Sequence, residues 1–367
     1  MFESIAVEGV KGLQPYRPGK PIDAVARELG LNEADIVKLA SNENPLGPGD
    51  AVRQALVGCV DELSRYPDGG GYALKETLAR HLSVDADQVT LGNGSSDILD
   101  FIIRVLVDKG DEVVVSQHAF AIYGLLTTIA GGKVVEVPAR DFGHDLDAMA
   151  AAITDKTRIV FVTNPNNPTG TWNTRTELEA FLARVPESVV VLLDEAYFEY
   201  VEEAEYPDGI ELLSRFPNLV VTRTFSKVYG LAALRIGYGV SSLELADLMN
   251  RVRPPFNTNA LAQAAAIAAL NDKQYLADSV AMNKQGMAQL EAGFRQQNLD
   301  FIPTVGNFIA FKVPTEADAM QVYQDLLQHG VIVRPVANYA MPEYLRISIG
   351  TDSENAAFLT ALEQVLA

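Results

Sequence analysis

From about residue 89 onward, the chain alternates short β-rich runs with amphipathic stretches of helical periodicity. Several of the runs are apolar on both faces, which is typical of strands buried inside a parallel sheet. The predicted strands are Gln88–Leu91, Glu112–Val115, Val134–Val137, Arg158–Val162, Val189–Leu193 and Leu219–Val221. This alternation predicts an α/β fold with a mostly parallel sheet and right-handed crossovers. A further run, Ile236–Val240, follows after too short a gap for a normal crossover, so we expect it to run antiparallel.

A second pattern of elements begins near Asp272 and predicts a smaller C-terminal domain. A long helical stretch leads to alternating strands and helices, namely Asn307–Phe311, a helix near Glu316 to His329, Val331–Arg334, Leu345–Ile349 and a final helix. With 367 residues, 48% of them hydrophobic, the chain can bury two cores. We therefore predict an N-terminal arm (1–45) lying on the small domain, a large α/β domain (46–271) and a small α+β domain (272–367).

Charge and cysteine content exclude several classes of function. The chain has 29 basic and 48 acidic residues, a net charge of −19, which argues against binding to nucleic acid or an anionic membrane. Cys59 is the single cysteine, so no intramolecular disulfide or cysteine zinc cluster can form. The four histidines are scattered without metal-ligand spacing, and no apolar run approaches membrane-spanning length. We expect a cytoplasmic protein without a metal site.

The segment Thr222–Lys227 carries the strongest chemical signal in the chain. Lys227 follows a short apolar strand, has Thr224 and Ser226 beside it, and precedes Arg235 by eight positions. A lysine in this place can hold an aldehyde as a Schiff base, and the hydroxyls and the arginine can hold a phosphate. The combination indicates pyridoxal 5'-phosphate. Taken alone, the same segment also fits a solvated loop.

Three more polar clusters follow predicted strands, where open parallel sheets bind their ligands. Gly92–Asp97 precedes a helix over Ile98–Val107 whose N-terminus can receive a phosphate. The turn Thr163–Gly170 contains two Asn-Pro pairs that can orient the amide of Asn167. Asp194–Tyr197 places a carboxylate at a strand end, where a pyridinium N–H would be a fitting partner. Each cluster alone fits an ordinary turn, but four together favour a cofactor site.

Taken in order, these motifs resemble the fold-type I pyridoxal-phosphate aminotransferases, and within them the histidinol-phosphate aminotransferase family. The decisive order is Asn-Pro-x-Asn-Pro-Thr-Gly, Asp-Glu-Ala-Tyr, Ser-Lys and Arg-x-Gly. Further similar segments span nearly the whole chain, namely Leu13–Tyr16, Ser41–Gly47, Arg65–Asp68, Gly230–Gly237 and Leu345–Gly350. The resemblance implies a three-layer large domain, a small domain and the cofactor pyridoxal 5'-phosphate.

The resemblance also implies a role for individual residues. Lys227 would bind the cofactor covalently, Asp194 would keep its pyridinium protonated, and Asn167 and Tyr197 would contact its phenolic oxygen. Phe120 would stack on the ring. The residues implied for the phosphate are Gly94, Ser95, Ser96, Thr224, Ser226 and Arg235. Tyr66 would reach that phosphate from the second protomer of a homodimer. The residues implied for the substrate are Tyr16, Asn42, Arg334 and Arg346.

The implied reaction transfers the amino group of L-histidinol phosphate to 2-oxoglutarate, giving imidazole-acetol phosphate and glutamate by ping-pong chemistry. An aromatic aminotransferase, or an enzyme of dual specificity, would use the same catalytic residues. A phosphate-recognising decarboxylase, similar to threonine-phosphate decarboxylase, is a further alternative, and a cofactor-sensing regulator would need an additional basic DNA-binding domain. The sequence departs from the family at two places. The phosphate loop Gly92–Ser96 lacks the Gly-Ala-Asp-Glu motif that is common in the family, and Ala233 occupies a position where glycine is frequent.

Overall fold

The computed structural model describes residues 2–13, 19–314 and 317–367. Its strands are β1 (Val37–Lys38), β2 (Val89–Gly92), β3 (Glu112–Ser116), β4 (Lys133–Val137), β5 (Thr157–Thr163), β6 (Val190–Asp194), β7 (Leu219–Thr224), β8 (Gly237–Val240), β9 (Phe308–Lys312), β10 (Val331–Ile332), β11 (Arg334–Pro335) and β12 (Tyr344–Ser348). Its α-helices are α1 (Phe2–Ile5), α2 (Ile22–Leu29), α3 (Asp50–Gly58), α4 (Tyr72–Leu82), α5 (Ser95–Leu106), α6 (Ile122–Ile129), α7 (Leu146–Ala151), α8 (Arg175–Leu182), α9 (Gly209–Leu212), α10 (Leu243–Val252), α11 (Ala260–Asn271), α12 (Lys273–Gln296), α13 (Ala319–Gln328) and α14 (Asp352–Leu366).

The central sheet has seven strands in the order β2-β8-β7-β6-β5-β3-β4. All neighbouring strands are parallel except at β8, which runs antiparallel to both β2 and β7. The predicted α/β fold and the antiparallel strand near Ile236 are thus confirmed. The connection from Thr224 to Gly237 contains Lys227 and one turn of 3-10 helix, with no crossover helix to bring the chain back in parallel.

Both faces of this sheet are covered by helices. Along β6, Val191 and Leu193 belong to a core cluster shared with α3, α4, α8 and α11, whereas Val190 and Leu192 belong to a cluster shared with α5, α6 and α10. This alternation follows from the two-residue period of a strand, and it accounts for runs that are apolar at every position. Burying each of these side chains contributes roughly 1.5–3 kcal/mol.

The C-terminal part forms an antiparallel sheet in the order β11-β12-β9, next to a parallel pair of β1 and β10. The run predicted as one strand over Val331–Arg334 is therefore two short strands, because β10 pairs with β1 and β11 pairs with β12. The helix predicted near Glu316 to His329 is α13, which begins at Ala319, because the Asp318 side chain accepts the backbone N–H groups of Met320 and Gln321. Glu316 itself lies outside the described residues.

The N-terminal residues contact both halves of the molecule. Val25, Ala26 and Leu39 share a core cluster with residues of the C-terminal part. The 3-10 turn Glu8–Val10 instead lies against α6, where a Cβ added to Gly9 would approach the Thr128 carbonyl oxygen to 2.0 Å. The domain boundaries 1–45, 46–271 and 272–367 stay a prediction. Across the described ranges, none of the helices has the length and apolar character needed to cross a membrane.

Candidate active site

The carboxyl ends of β5, β6 and β7 open into a cavity of about 230 Å³ that is closed on its other side by residues of β11 and β12. Most of the residues predicted for the site line this cavity. They are Asn42, Ser95, Ser96, Phe120, Asn167, Asp194, Tyr197, Thr224, Ser226, Lys227, Arg235, Arg334 and Arg346. The register brings the strand ends together, because Asp194 is paired with Thr163 on one side and with Thr222 on the other.

Two predicted residues within the described ranges do not line the cavity. Gly94 lies next to it and precedes the first residue of α5. Tyr66 is 83% exposed and stacks on Phe256, with 4.7 Å between ring centroids, away from the cavity lining. Tyr16 lies outside the described residues.

Lys227 places its amine inside the cavity. Its Nζ donates a hydrogen bond to the Ser41 carbonyl oxygen at 3.2 Å. Burial, followed by the positive charge of Arg346, lowers the pKa of Lys227 to about 8. A larger share of this amine is therefore neutral near physiological pH than for an ordinary lysine, and the neutral form is the nucleophile that attacks an aldehyde.

Asp194 presents a buried carboxylate at the end of β6. Its Oδ1 accepts a hydrogen bond from Thr222 Oγ1 at 3.2 Å, and its Oδ2 accepts one from the Tyr123 hydroxyl at 2.7 Å. Burial raises the pKa of Asp194, and these hydrogen bonds oppose the rise. A carboxylate in such a place is stabilised by a cationic partner, and a pyridinium N–H in the cavity would provide one.

The first turn of α5 forms one wall of a site suited to an anion. Gly94 has a φ of 79°, a left-handed conformation that favours glycine. A Cβ at Gly94 would meet Arg235 Nη2 at 2.4 Å, and a Cβ at Gly237 would meet the Ser95 nitrogen at 2.4 Å. Both glycines thus permit a close approach that side chains would block. Ser95 and Ser96 begin the helix, where the backbone N–H groups lack helical partners and attract anions.

Hydroxyl groups and a guanidinium complete this anion site. Thr224 Oγ1 lies 3.0 Å from Ser226 Oγ, which in turn lies 3.4 Å from Arg235 Nη1. Arg235 also donates to the Asn93 carbonyl oxygen at 3.5 Å. Backbone N–H groups, two hydroxyls and a guanidinium are the donors that phosphate groups bind in proteins, so this end of the cavity fits a phosphate.

Tyr197 and Asn42 are joined across the cavity. Asn42 Nδ2 donates to the Tyr197 hydroxyl at 2.9 Å, and the Asn42 backbone N–H donates to Ser348 Oγ at 2.7 Å. Burial raises the pKa of Tyr197 to about 12, so its phenol stays protonated at physiological pH. Since the oxygen already accepts from Asn42, the Tyr197 proton is the group available to donate to an acceptor in the cavity.

The two predicted substrate arginines lie side by side on neighbouring strands. Arg334 of β11 is directly opposite Arg346 of β12. Arg346 is 6% exposed and donates to the Asn167 side-chain oxygen and, at 3.0 Å, to the Ala40 carbonyl oxygen. Because a guanidinium only donates, it orients the Asn167 amide with its oxygen toward Arg346, which leaves the amide nitrogen as a donor. Two adjacent guanidinium groups, one of them buried, suit an anionic substrate.

Comparisons with known proteins agree with this geometry. Residues 34–362 match the family model described as aminotransferase class I and II. The chain belongs to the class I and II aminotransferase family. Histidinol-phosphate aminotransferase 1 of Nitrosococcus oceani is 56% identical over 366 residues, covering 100% of this chain and 98% of that protein. Histidinol-phosphate aminotransferase 2 of Pseudomonas aeruginosa strain PAO1 is 57% identical over 366 residues, covering 100% and 99%.

A solved structure extends the agreement to three dimensions. Histidinol-phosphate aminotransferase from Sinorhizobium meliloti, in complex with pyridoxal-5'-phosphate, superposes with a TM-score of 0.89 at 30% identity, covering 99% of this chain and 98% of that one. The resemblance to fold-type I aminotransferases, and within them to the histidinol-phosphate group, is therefore confirmed. The roles assigned to single residues stay predictions that rest on the geometry above.

Several residues at this aminotransferase site were not predicted from the sequence. Tyr123 and Thr222 bind the Asp194 carboxylate, and Ser41 accepts from Lys227. Tyr339 lines the cavity from the C-terminal part. Thr222 and Ser41 belong to segments already singled out in the sequence, since Thr222 begins the segment that contains Lys227 and Ser41 precedes Asn42. Tyr123 and Tyr339 reach the site through packing between segments distant in the chain.

Proposed function

We propose that this chain is a pyridoxal-phosphate-dependent aminotransferase that transfers the amino group of L-histidinol phosphate to 2-oxoglutarate, giving imidazole-acetol phosphate and glutamate in histidine biosynthesis. The observation that carries the proposal is the cavity that Lys227, Asp194 and the Arg334–Arg346 pair share. It occurs in a chain that matches relatives named histidinol-phosphate aminotransferase over its whole length.

The cofactor is pyridoxal 5'-phosphate, as predicted. When bound, it supplies an aldehyde that joins covalently to amines and a protonated ring that withdraws electrons from the substrate. The residues present fit this group at both ends, since Asp194 offers a buried carboxylate and the start of α5 with Arg235 offers an anion cradle. Tyr197 and Asn167 would donate hydrogen bonds to the phenolic oxygen, and Phe120 would cover the ring.

Lys227 is the group placed to move a proton. Its Nζ holds a pKa of about 8 because of burial and the nearby Arg346 and Arg235 charges. A base in this range can take a proton from the substrate carbon that carries the amine and return it later as an acid. Asp194 would stabilise the positive charge at the ring nitrogen of the bound cofactor.

Both substrates offer anions to the same pair of arginines. Histidinol phosphate has no carboxylate, but it carries a phosphate on the carbon next to its amine-bearing carbon. 2-Oxoglutarate carries two carboxylates. The guanidinium fork of Arg346 binds phosphate and carboxylate in the same bidentate manner, and Arg334 on the neighbouring strand adds a second positive charge. One site can therefore serve both halves of a ping-pong reaction.

The test is kcat/KM for histidinol phosphate measured beside phenylalanine and tyrosine, with 2-oxoglutarate as the acceptor. We expect a strong preference for histidinol phosphate. Equal or faster turnover of the aromatic amino acids would contradict the substrate while leaving the catalytic residues in place. Release of carbon dioxide from a phosphorylated amino acid without any keto acid would instead indicate a decarboxylase.

The proposal extends to a cytoplasmic homodimer in which Tyr66 contacts the cofactor phosphate of the other protomer. Exposed apolar side chains support such an interface. Phe256 stacks on Tyr66, and Val57, Val60, Leu63 and Tyr72 are close to Tyr66 in the sequence. The single cysteine suits a reducing compartment.

A mixing experiment tests the contribution of Tyr66. Lys227→Ala and Tyr66→Ala subunits, each impaired alone, should regain activity when mixed, because the heterodimer has one complete site. Random mixing makes half of the dimers heterodimers with one restored site of two, so about a quarter of wild-type activity is expected. No recovery after verified subunit exchange would contradict a site shared between protomers.

A further inference from the structure

We propose that Tyr123, supported by Thr163, is a positioning residue that holds the Asp194 carboxylate ionised and directed at the ring nitrogen of the cofactor. The inference rests on the proposed function for the identity of the cofactor, but not on the choice of substrate. It assigns a role to Tyr123, which does not line the cavity itself, and to Thr163, which lines it beside Asp194.

Tyr123 is held in one place by packing on all sides. It is the second residue of α6 and has no exposed surface. Its ring stacks on Phe161, with centroids 4.4 Å apart and planes within 9°, and it meets the edge of Phe120 at 5.9 Å and 89°. The hydroxyl group then lies 2.7 Å from Asp194 Oδ2 and 2.8 Å from Thr163 Oγ1.

The direction of these two hydrogen bonds follows from the number of protons. An ionised carboxylate only accepts, so the single phenolic proton of Tyr123 points to Asp194. Thr163 must then donate its own proton to the Tyr123 oxygen. The result is a chain of hydrogen bonds from Thr163 through Tyr123 to Asp194, in which each bond strengthens the next.

These hydrogen bonds affect whether the proton between Asp194 and the ring nitrogen of the cofactor lies on the carboxylate or on the nitrogen. A carboxylate that accepts several hydrogen bonds has a lower proton affinity than one that accepts none. Burial raises the pKa of Asp194, and the Tyr123 hydrogen bond is the largest of the interactions that lower it again. Burial also raises the pKa of Tyr123 well above its ordinary value, so Tyr123 remains a donor at every physiological pH. Asp194 therefore leaves the proton on the ring nitrogen, where it is needed to withdraw electrons.

A core tyrosine that merely fills space would behave differently. Replacing it by phenylalanine would change the stability of the protein but not the protonation of the cofactor. The contact with Phe120 survives this replacement, because the ring is retained. Tyr123→Phe therefore separates the hydrogen bond from the packing.

The experiment reconstitutes the purified protein with pyridoxal 5'-phosphate labelled with 15N in the ring and records the 15N chemical shift. In Tyr123→Phe we expect the resonance to move toward that of unprotonated pyridine, because a more basic Asp194 draws the proton away from nitrogen. The dissociation constant of the cofactor should also rise, because a more basic Asp194 is a weaker ionic partner for a protonated ring.

Two further variants provide a second test and a control. Thr163→Val keeps the Tyr123 hydroxyl but removes its donor, so the resonance should move in the same direction by a smaller amount. Tyr323→Phe removes a hydroxyl from another buried tyrosine, 7% exposed in the C-terminal core, and should change neither readout.

An unchanged 15N resonance in cofactor-loaded Tyr123→Phe would overturn the inference. If that variant does not fold, Thr163→Val decides, and an unchanged resonance there overturns it equally. The readout needs no substrate, so a wild-type protein that binds the cofactor but does not turn over histidinol phosphate would refute only the proposed substrate. A wild-type protein that does not bind the cofactor would refute both.

Discussion

Replacing Arg346 by lysine should weaken binding of both substrates while leaving the fold intact. Arg346 is buried, and its two terminal nitrogens reach the Asn167 side chain and the Ala40 carbonyl oxygen. Lysine retains the positive charge but replaces the planar fork with a single ammonium, so one of two hydrogen bonds to a phosphate or carboxylate is lost.

The expected loss of affinity follows from the loss of this one hydrogen bond. One hydrogen bond to a charged group contributes roughly 1.5–3 kcal/mol, and each 1.4 kcal/mol corresponds to tenfold in affinity. We therefore expect kcat/KM for histidinol phosphate to fall about 10- to 100-fold in Arg346→Lys, with most of the change in KM. KM for 2-oxoglutarate should rise as well, because the same guanidinium binds the acceptor.

The assay is steady-state kinetics with each substrate varied at saturating levels of the other, together with the thermal midpoint and the cofactor dissociation constant of the variant. Arg334→Lys is the matched control, since Arg334 lies opposite on β11 but is less buried, and a change of only a few fold is expected there. KM values within twofold of wild type for both substrates, in a folded and cofactor-loaded Arg346→Lys protein, would refute the anion clamp.

Three further predictions concern catalysis, the anion cradle and a buried ion pair. Lys227→Ala should lower kcat by roughly 10²- to 10⁴-fold or more while the protein still binds cofactor by absorbance, and substantial turnover would contradict its role as the base. Gly237→Ala should lower cofactor affinity and the thermal midpoint because its Cβ would collide with backbone atoms, whereas Gly58→Ala, whose Cβ meets nothing within 4 Å in helix α3, should lower neither. Arg223→Met leaves the fully buried Glu195 without its charge partner, so the free energy of unfolding should fall by about 3–5 kcal/mol in denaturant titrations, and by less at low pH where Glu195 becomes protonated.

The sequence alone was sufficient for the fold class and for most of the cavity. Strand periodicity is local, so the apolar runs around Val160 and Val191 predicted buried strands without knowledge of their neighbours. Polar residues immediately after such strands had to meet at one edge of a parallel sheet, which brought Asn167, Asp194 and Lys227 together. The short connection before Ile236 similarly indicated the antiparallel strand.

Helix boundaries were less predictable. The helix expected from Ile98 begins at Ser95, so the serines form its first turn rather than a loop before it. Local propensity favours serine at the residue before a helix. Here Gly94, with its positive φ, takes that place, so the helix begins three residues before the predicted start.

Only the tertiary structure decided which side chains hold the functional groups in place. Asn42 binds Ser348 across 306 positions, and Tyr123 reaches Asp194 across 71. No periodicity connects residues so far apart, because their meeting depends on how α6 packs on the sheet and how the N-terminal segment crosses to β12. The sequence by itself determined the strands and the chemistry at their ends, whereas packing determined the hydrogen bonds that orient that chemistry.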